Sequence, residues 1–288
     1  MGEDYSRHNP GQDPLELRIR GLIRDHVYSK KEGREMLSKA KAQEVDYVKE
    51  CLVNINDSRF IHDRTQKLLK DLSTSTNSKI VEGEENLSNV PKGRHVFVLT
   101  NHFSAYKLIA IDQQEVGTNI PEVNELYLPP MFYAGIWPVA EKLGKPLYEA
   151  HLGLPDILKT IQESAGTLIF PNGKGGQYQV VLERTKEHLD KHPDAVTVIF
   201  PEGGSTGKYN NGGPFDLDHF HGGSISMASE LGVTILPVAQ YFNPEKGFEL
   251  RVFESFTPSP ETSREKTTEL ADNTRQQMQA WLDTKKFS

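Results

Sequence analysis

The sequence has one cysteine, Cys51, in 288 residues. That excludes an internal disulfide framework and any zinc site built from several cysteines, and it fits a reducing compartment such as the cytosol. Positive charge is also in deficit: 33 Lys and Arg stand against 40 Asp and Glu, a net charge of −7. Broad nucleic-acid footprints need the opposite balance, so no nucleic-acid partner is expected and any anion must be met by local groups. No apolar run approaches the ~20 residues needed to cross a bilayer, and the opening MGEDYSRHNPGQDP lacks the basic end and apolar centre of a secretory signal. Hydrophobic residues make up only 36% and mean hydropathy is −0.55. Even so, 13 Phe, 10 Tyr and 2 Trp supply material for a full-sized core. The length suits one large α/β domain, or a core with a small appendage.

Residues 1–14 show no periodicity and are expected to be a flexible N-terminus. Apolar spacing at Leu15, Ile19, Leu22 and Ile23, then Met36, Leu37, Val45, Val48 and Leu52, predicts three helical stretches over 15–73. A helical cap is therefore expected over 15–78, ending in a Ser/Thr/Asn connector, with an α/β domain over 79–288. From there the pattern becomes short apolar runs, HVFVLT (95–100), TLIF (167–170), VTVIF (196–200) and VTILPVA (233–239). β-Branched runs of this length suit strands buried on both faces of a sheet. Helices are expected between them at 102–114, 154–164, 176–192 and 222–231, and a final surface helix over 260–281.

Three segments carry candidate chemistry. Thr100-Asn101-His102-Phe103-Ser104 follows a strand and opens a predicted helix. Ligands of open α/β sheets gather at such strand ends, and a helix N-terminus would keep His102 neutral and ready to accept a proton. Equally, Asn101 could cap the helix with His102 packed beside it. Phe200-Pro201-Glu202-Gly203-Gly204-Ser205-Thr206-Gly207 also follows a strand. Its proline ends the ladder and its glycines let backbone N–H groups approach an anion or oxyanion, while Glu202 could organise loop amides or a base. The third segment, Asp216-Leu217-Asp218-His219-Phe220-His221, has donor atoms for a divalent metal.

In order along the chain, these blocks resemble the glycerol-3-phosphate and lysophospholipid acyltransferases, whose pattern runs N-H-x-x-x-x-D, G-x-I-F-I-x-R, F-P-E-G-T-R-S and a V-P-V strand. Asn101-His102 matches the first block, Gly166-Thr167-Leu168-Ile169-Phe170 resembles the second and Phe200-Pro201-Glu202-Gly203 matches the third. Phe220-His221-Gly222-Gly223 resembles the F-K-x-G-A start of a helix, and Leu236-Pro237-Val238 matches the last block. The likeness spans roughly residues 79–245. It implies a mixed sheet flanked by helices and transfer of a fatty acyl group from a thioester to a glycerolipid precursor such as glycerol-3-phosphate or a lysophospholipid. It implies no cofactor: acyl-CoA or acyl carrier protein is a co-substrate, met with at most transient, peripheral membrane contact. His102 takes the role of general base, and Glu202 is placed with it as a catalytic candidate. Asn101, Ser104, Lys174, Gly203, Gly204, Ser205 and Lys208 are the candidate substrate contacts.

The sequence departs from that pattern at several positions. Lys107 stands where the family has the Asp that orients the imidazole, Asn172 replaces the arginine of the second block, and Gly204-Ser205 replaces Thr-Arg in the third. Two other functions follow from these features: an inactive lipid- or acyl-carrier-binding relative, and a metal-dependent hydrolase built on His219 and His221.

Overall fold

A computed structural model describes residues 43, 46, 47, 49–102, 130–152, 161–170, 178–203, 206, 215–243 and 246–285. Residues 1–14 and most of the segment before 49 lie outside it, as does most of the predicted helix 102–114. Helix α1 (Ser58–Ser75) begins where the Asp57 carboxylate caps it, accepting from Phe60 N. Its buried Ile61, Leu68, Leu69 and Leu72 recur at helical spacing and join one continuous core with the sheet.

Seven strands form the sheet: β1 (Lys79–Glu82), β2 (Val96–Thr100), β3 (Leu147–Leu152), β4 (Leu168–Phe170), β5 (Val196–Ile199), β6 (Thr234–Asn243) and β7 (Gly247–Val252). Their order is β1-β7-β6-β2-β5-β3-β4. Every neighbouring pair is parallel except the β6–β7 hairpin, so the sheet is mixed. Strands β2 and β5 are buried throughout, as their β-branched runs require. Helices α2 (Pro130–Leu143), α3 (Tyr178–Lys191), α4 (Gly223–Leu231) and α5 (Arg264–Asp283) flank it. Helix α5 starts at the Ser263 cap and buries Ala271, Met278, Trp281 and Leu282 along one stripe. Trp281 also donates its indole N–H to Glu82 at 2.8 Å, joining the last helix to the first strand.

Three strands were not expected from the sequence. β1 is mostly exposed, β3 (LYEAHL) carries the buried Glu149 within its run, and β7 completes a hairpin after a strand that runs four residues past the expected end at 239. Pro237 lies inside β6 without breaking it. Its carbonyl, pointing away from β2, accepts from Phe253 N at 3.0 Å, so its missing N–H falls on the side where β7 has ended and the β2 ladder loses no donor. Gly166, ahead of β4, has φ +86°, and a Cβ there would lie 2.4 Å from Tyr148 Cε1. A glycine is needed at this point for both its backbone angle and its missing side chain.

Candidate active site

Strand β2 lies between β5 and β6, and both pairings are parallel, so β2 and β5 end side by side while β6 runs on past them. The segments Thr100–His102 and Phe200–Gly203 therefore become neighbours through the ladder itself, at the edge where open α/β sheets collect ligands. Phe200–Gly203 is a β-turn closed by Gly203 N donating to Phe200 O at 3.2 Å. It carries proline and glycine at the second and fourth positions such turns favour. Gly203 has φ +65°, and the His221 ring packs 3.2 Å from where its Cβ would stand. His221 N also donates to Pro201 O at 2.8 Å, fixing the approach to α4 against the turn.

Main-chain bonds run both ways between the two segments. Glu202 Oε1 accepts from His102 N at 3.0 Å, and Thr206 N donates to His102 O at 3.0 Å. The same carboxylate accepts from Thr206 Oγ1 at 2.8 Å, and its Oε2 accepts from Asp218 N at 2.9 Å. Glu202 is fully buried. Burial, opposed by the three donated hydrogen bonds and aided by the nearby Asp218, pushes its carboxyl up to about 7. Its oxygens thus organise three chain segments. The His102 imidazole, partly buried, packs on Phe200 with ring centroids 4.5 Å apart.

Asn101 is fully buried, and its side chain is engaged by β6. Asn101 Nδ2 donates to Gln240 O at 3.0 Å, Gln240 N donates to Asn101 Oδ1 at 2.8 Å, and Gln240 Nε2 donates to Asn101 O at 2.7 Å. The side chain continues the β2–β6 ladder one residue beyond the strand and positions His102 from below. Gln240 and Thr206 are the site residues that sequence reasoning passed over. The signal for Gln240 was a lone amide in the apolar run LPVAQYF.

Of the predicted site residues, the structure brings together His102, Glu202, Asn101 and Gly203. Ser104, Lys107, Asn172, Lys174, Gly204, Ser205 and Lys208 lie outside the described residues. The second block ends on β4, the edge strand, separated from β2 by β5 and β3. In the third segment the His219 and His221 rings lie 5.7 Å apart, and His219 Nδ1 sits 3.7 Å from Asp272. Asp218 is buried. No group of three His, Cys, Asp or Glu side chains among the described residues is arranged to hold a metal ion. Nor is any helix among them long and apolar enough to cross a membrane.

No curated protein sequence matches the chain significantly. Among solved structures it is similar to the 1-acyl-sn-glycerophosphate acyltransferase of Thermotoga maritima, at 15% identity over 93% of this chain and 95% of that one, with a TM-score of 0.46. The sequence model of a family described as Acyltransferase matches residues 140–241. That span begins after His102 and takes in Phe200–Gly203, Phe220–Gly223 and Leu236–Val238, so over it the chain is similar to the acyltransferases its motif order resembles.

Proposed function

We propose that the chain is an acyltransferase that moves a fatty acyl group from an acyl thioester, on coenzyme A or acyl carrier protein, to a hydroxyl of a glycerolipid precursor such as glycerol-3-phosphate or a lysophospholipid. The observation that carries this reading is the two-way clamp between the chain at His102 and the Glu202 turn. It fixes a partly buried imidazole at a sheet edge beside a glycine-containing turn. The family match over 140–241 supports it independently, because it covers the turn but not the histidine.

A hydroxyl is a poor nucleophile, and His102 supplies the missing base. As the hydroxyl oxygen forms its bond to the thioester carbonyl carbon, its proton passes to the imidazole. The tetrahedral adduct then collapses, the carbon–sulfur bond breaks, and the leaving thiolate takes that proton from the imidazolium. No covalent acyl-enzyme is needed, consistent with a single cysteine, Cys51, that is buried. Glu202 acts as a positioning residue through the His102 main chain. Ser104, Lys174, Gly204, Ser205 and Lys208 remain the proposed contacts for the acceptor, together with Gly203. The substrates' own hydrophobicity implies transient contact with a lipid surface.

The test is free-thiol release from acyl-CoA in the presence of a panel of glycerolipid acceptors. Acceptor-dependent release that falls at least about a hundredfold in His102→Ala, at unchanged fold, is expected of a general base. Release unaffected by the substitution removes His102 from the mechanism. Lipid or carrier binding without turnover across the panel would assign the chain to the non-catalytic reading that Lys107 suggests.

A further inference from the structure

Away from the candidate site, near the opposite end of β2 and β5, the core holds a cluster of histidines that the proposed chemistry does not use. His95, His188 and Thr197 are buried and His192 partly so. His95 Nδ1 lies 2.6 Å from His192 O, and its Nε2 lies 2.8 Å from Thr197 Oγ1. His188 Nε2 lies 2.9 Å from the same hydroxyl. The rings of His95 and His188 are 5.4 Å apart, those of His188 and His192 4.9 Å, and His192 rests on Tyr148 at 4.3 Å.

Donor counting fixes the proton positions. A carbonyl only accepts, so His95 must carry its proton on Nδ1 and present a bare Nε2. Thr197 must then donate its one hydroxyl proton to His95, which obliges His188 to donate from Nε2 to Thr197. The chain His188 → Thr197 → His95 → His192 carbonyl is complete with all rings neutral. Protonating His95 puts a second N–H against the hydroxyl and turns its donor out into a buried space. It also places positive charge beside histidines on which no acid among the described residues acts. The groups that act on the cluster electrostatically are His62 of α1, Lys145 before β3, and Lys191 of α3 itself. The Tyr148 ring of β3 packs on both His188 and His192. None of these is acidic. The adjacent Asp194 is already paired with Lys145.

We infer that His95 and His188, joined through Thr197, together with His192, whose carbonyl His95 holds, form an acid-sensitive latch that holds α3 on the sheet while neutral and releases it when protonated. Burial, reinforced by the neighbouring positive groups, lowers His95 to about 4 and His188 to about 3, and lowers His192 as well. These values lie below the ordinary histidine value near 6.5 that the released chain regains. The latch's contribution is therefore complete above about pH 6.5 and is lost as pH falls from there toward the folded-state values. Helix α3 is the element set free, because two of the three rings belong to it or follow it directly. Thr197 lies on β5, the strand that leads to Phe200, so the latch and the His102 packing surface share one strand.

Hydrogen exchange on the intact protein tests the inference, with each rate corrected for its intrinsic pH dependence. Amides of residues 178–191 should lose at least about tenfold protection between about pH 7.5 and about pH 5, while β6 keeps its own. The triple substitution His95→Gln, His188→Gln, His192→Gln should abolish that difference. Equal protection at both pH values overturns the latch, as does an acid response that survives in the triple variant. Should that variant not fold, proton NMR of the wild-type imidazoles decides. Titration of His95 and His188 delayed below pH 6 and coincident with α3 opening is expected; independent titration near 6.5 with α3 still protected overturns the proposal.

Discussion

Glu202 binds the backbone amide of His102 at 3.0 Å, with 100 residues of chain between them. A buried carboxylate that accepts two main-chain amides and a hydroxyl holds three segments together. Glu202→Ala leaves the amides of His102 and Asp218 without acceptors, at about 1–3 kcal/mol each. Its thermal midpoint should fall by roughly 2–4 °C per kcal/mol. Because burial raises the folded-state carboxyl to about 7, the native state binds this proton more tightly than the unfolded chain does. Its contribution is complete below about pH 4.5 and is lost as pH rises through 7. The stability gap between wild type and Glu202→Gln, measured by denaturant melts, should therefore narrow from pH 4.5 to pH 8; a constant gap would place the carboxyl's titration elsewhere.

The Asn101–Gln240 pairing is built from side chain–main chain bonds in both directions, and it predicts two separable losses. Asn101→Ala strands the Gln240 amide and carbonyl, at about 1–3 kcal/mol each. Asn101→Asp should be no better than Ala, because it aims an acceptor at the Gln240 carbonyl in place of the Nδ2 donor. Gln240→Leu removes only the Nε2 bond to the Asn101 carbonyl and leaves the main-chain groups that the Asn101 side chain holds, so in a double-mutant cycle the two costs should be close to additive. If the clamp positions His102, kcat should fall further than KM rises in both single variants, and an effect on KM alone would argue against it.

Gly166 and Tyr148 form the third prediction. Gly166→Ala adds backbone strain at φ +86° and a methyl against the Tyr148 ring, together costing about 2–4 kcal/mol. In a Tyr148→Leu background the clash is relieved and the backbone strain alone remains, so the added cost should drop to about 1–2 kcal/mol. Chemical denaturation of the four proteins measures this, and an equal penalty in both backgrounds would place the cost elsewhere.

The four apolar runs appear as strands at nearly the expected positions, because strands buried on both faces leave an unbroken hydrophobic signal. β1 and β3 gave no such signal. One is an exposed edge, and the other buries Glu149 within its run, which breaks the apolar pattern. The same physics separates the site residues. That the His102 and Glu202 segments stand at strand ends was legible because the apolar β-branched runs before them stop abruptly at polar, proline and glycine residues. Gln240 was not, because its role depends on a partner 139 residues away, a register no local window contains. The histidine cluster was invisible for the same reason: His95, His188 and His192 meet only once β2 and β5 pair and α3 packs above them.

The parallel pairing of β2 with β5 sets the distance between the candidate base and its turn by ladder hydrogen bonds rather than by the intervening loops. Insertions or deletions in the segments that connect the helices and strands between residues 103 and 195 can therefore reshape whatever the protein recognises while leaving the reacting corner where it is. Over evolutionary time, such a chain could exchange one acceptor for another by rewriting its loops alone.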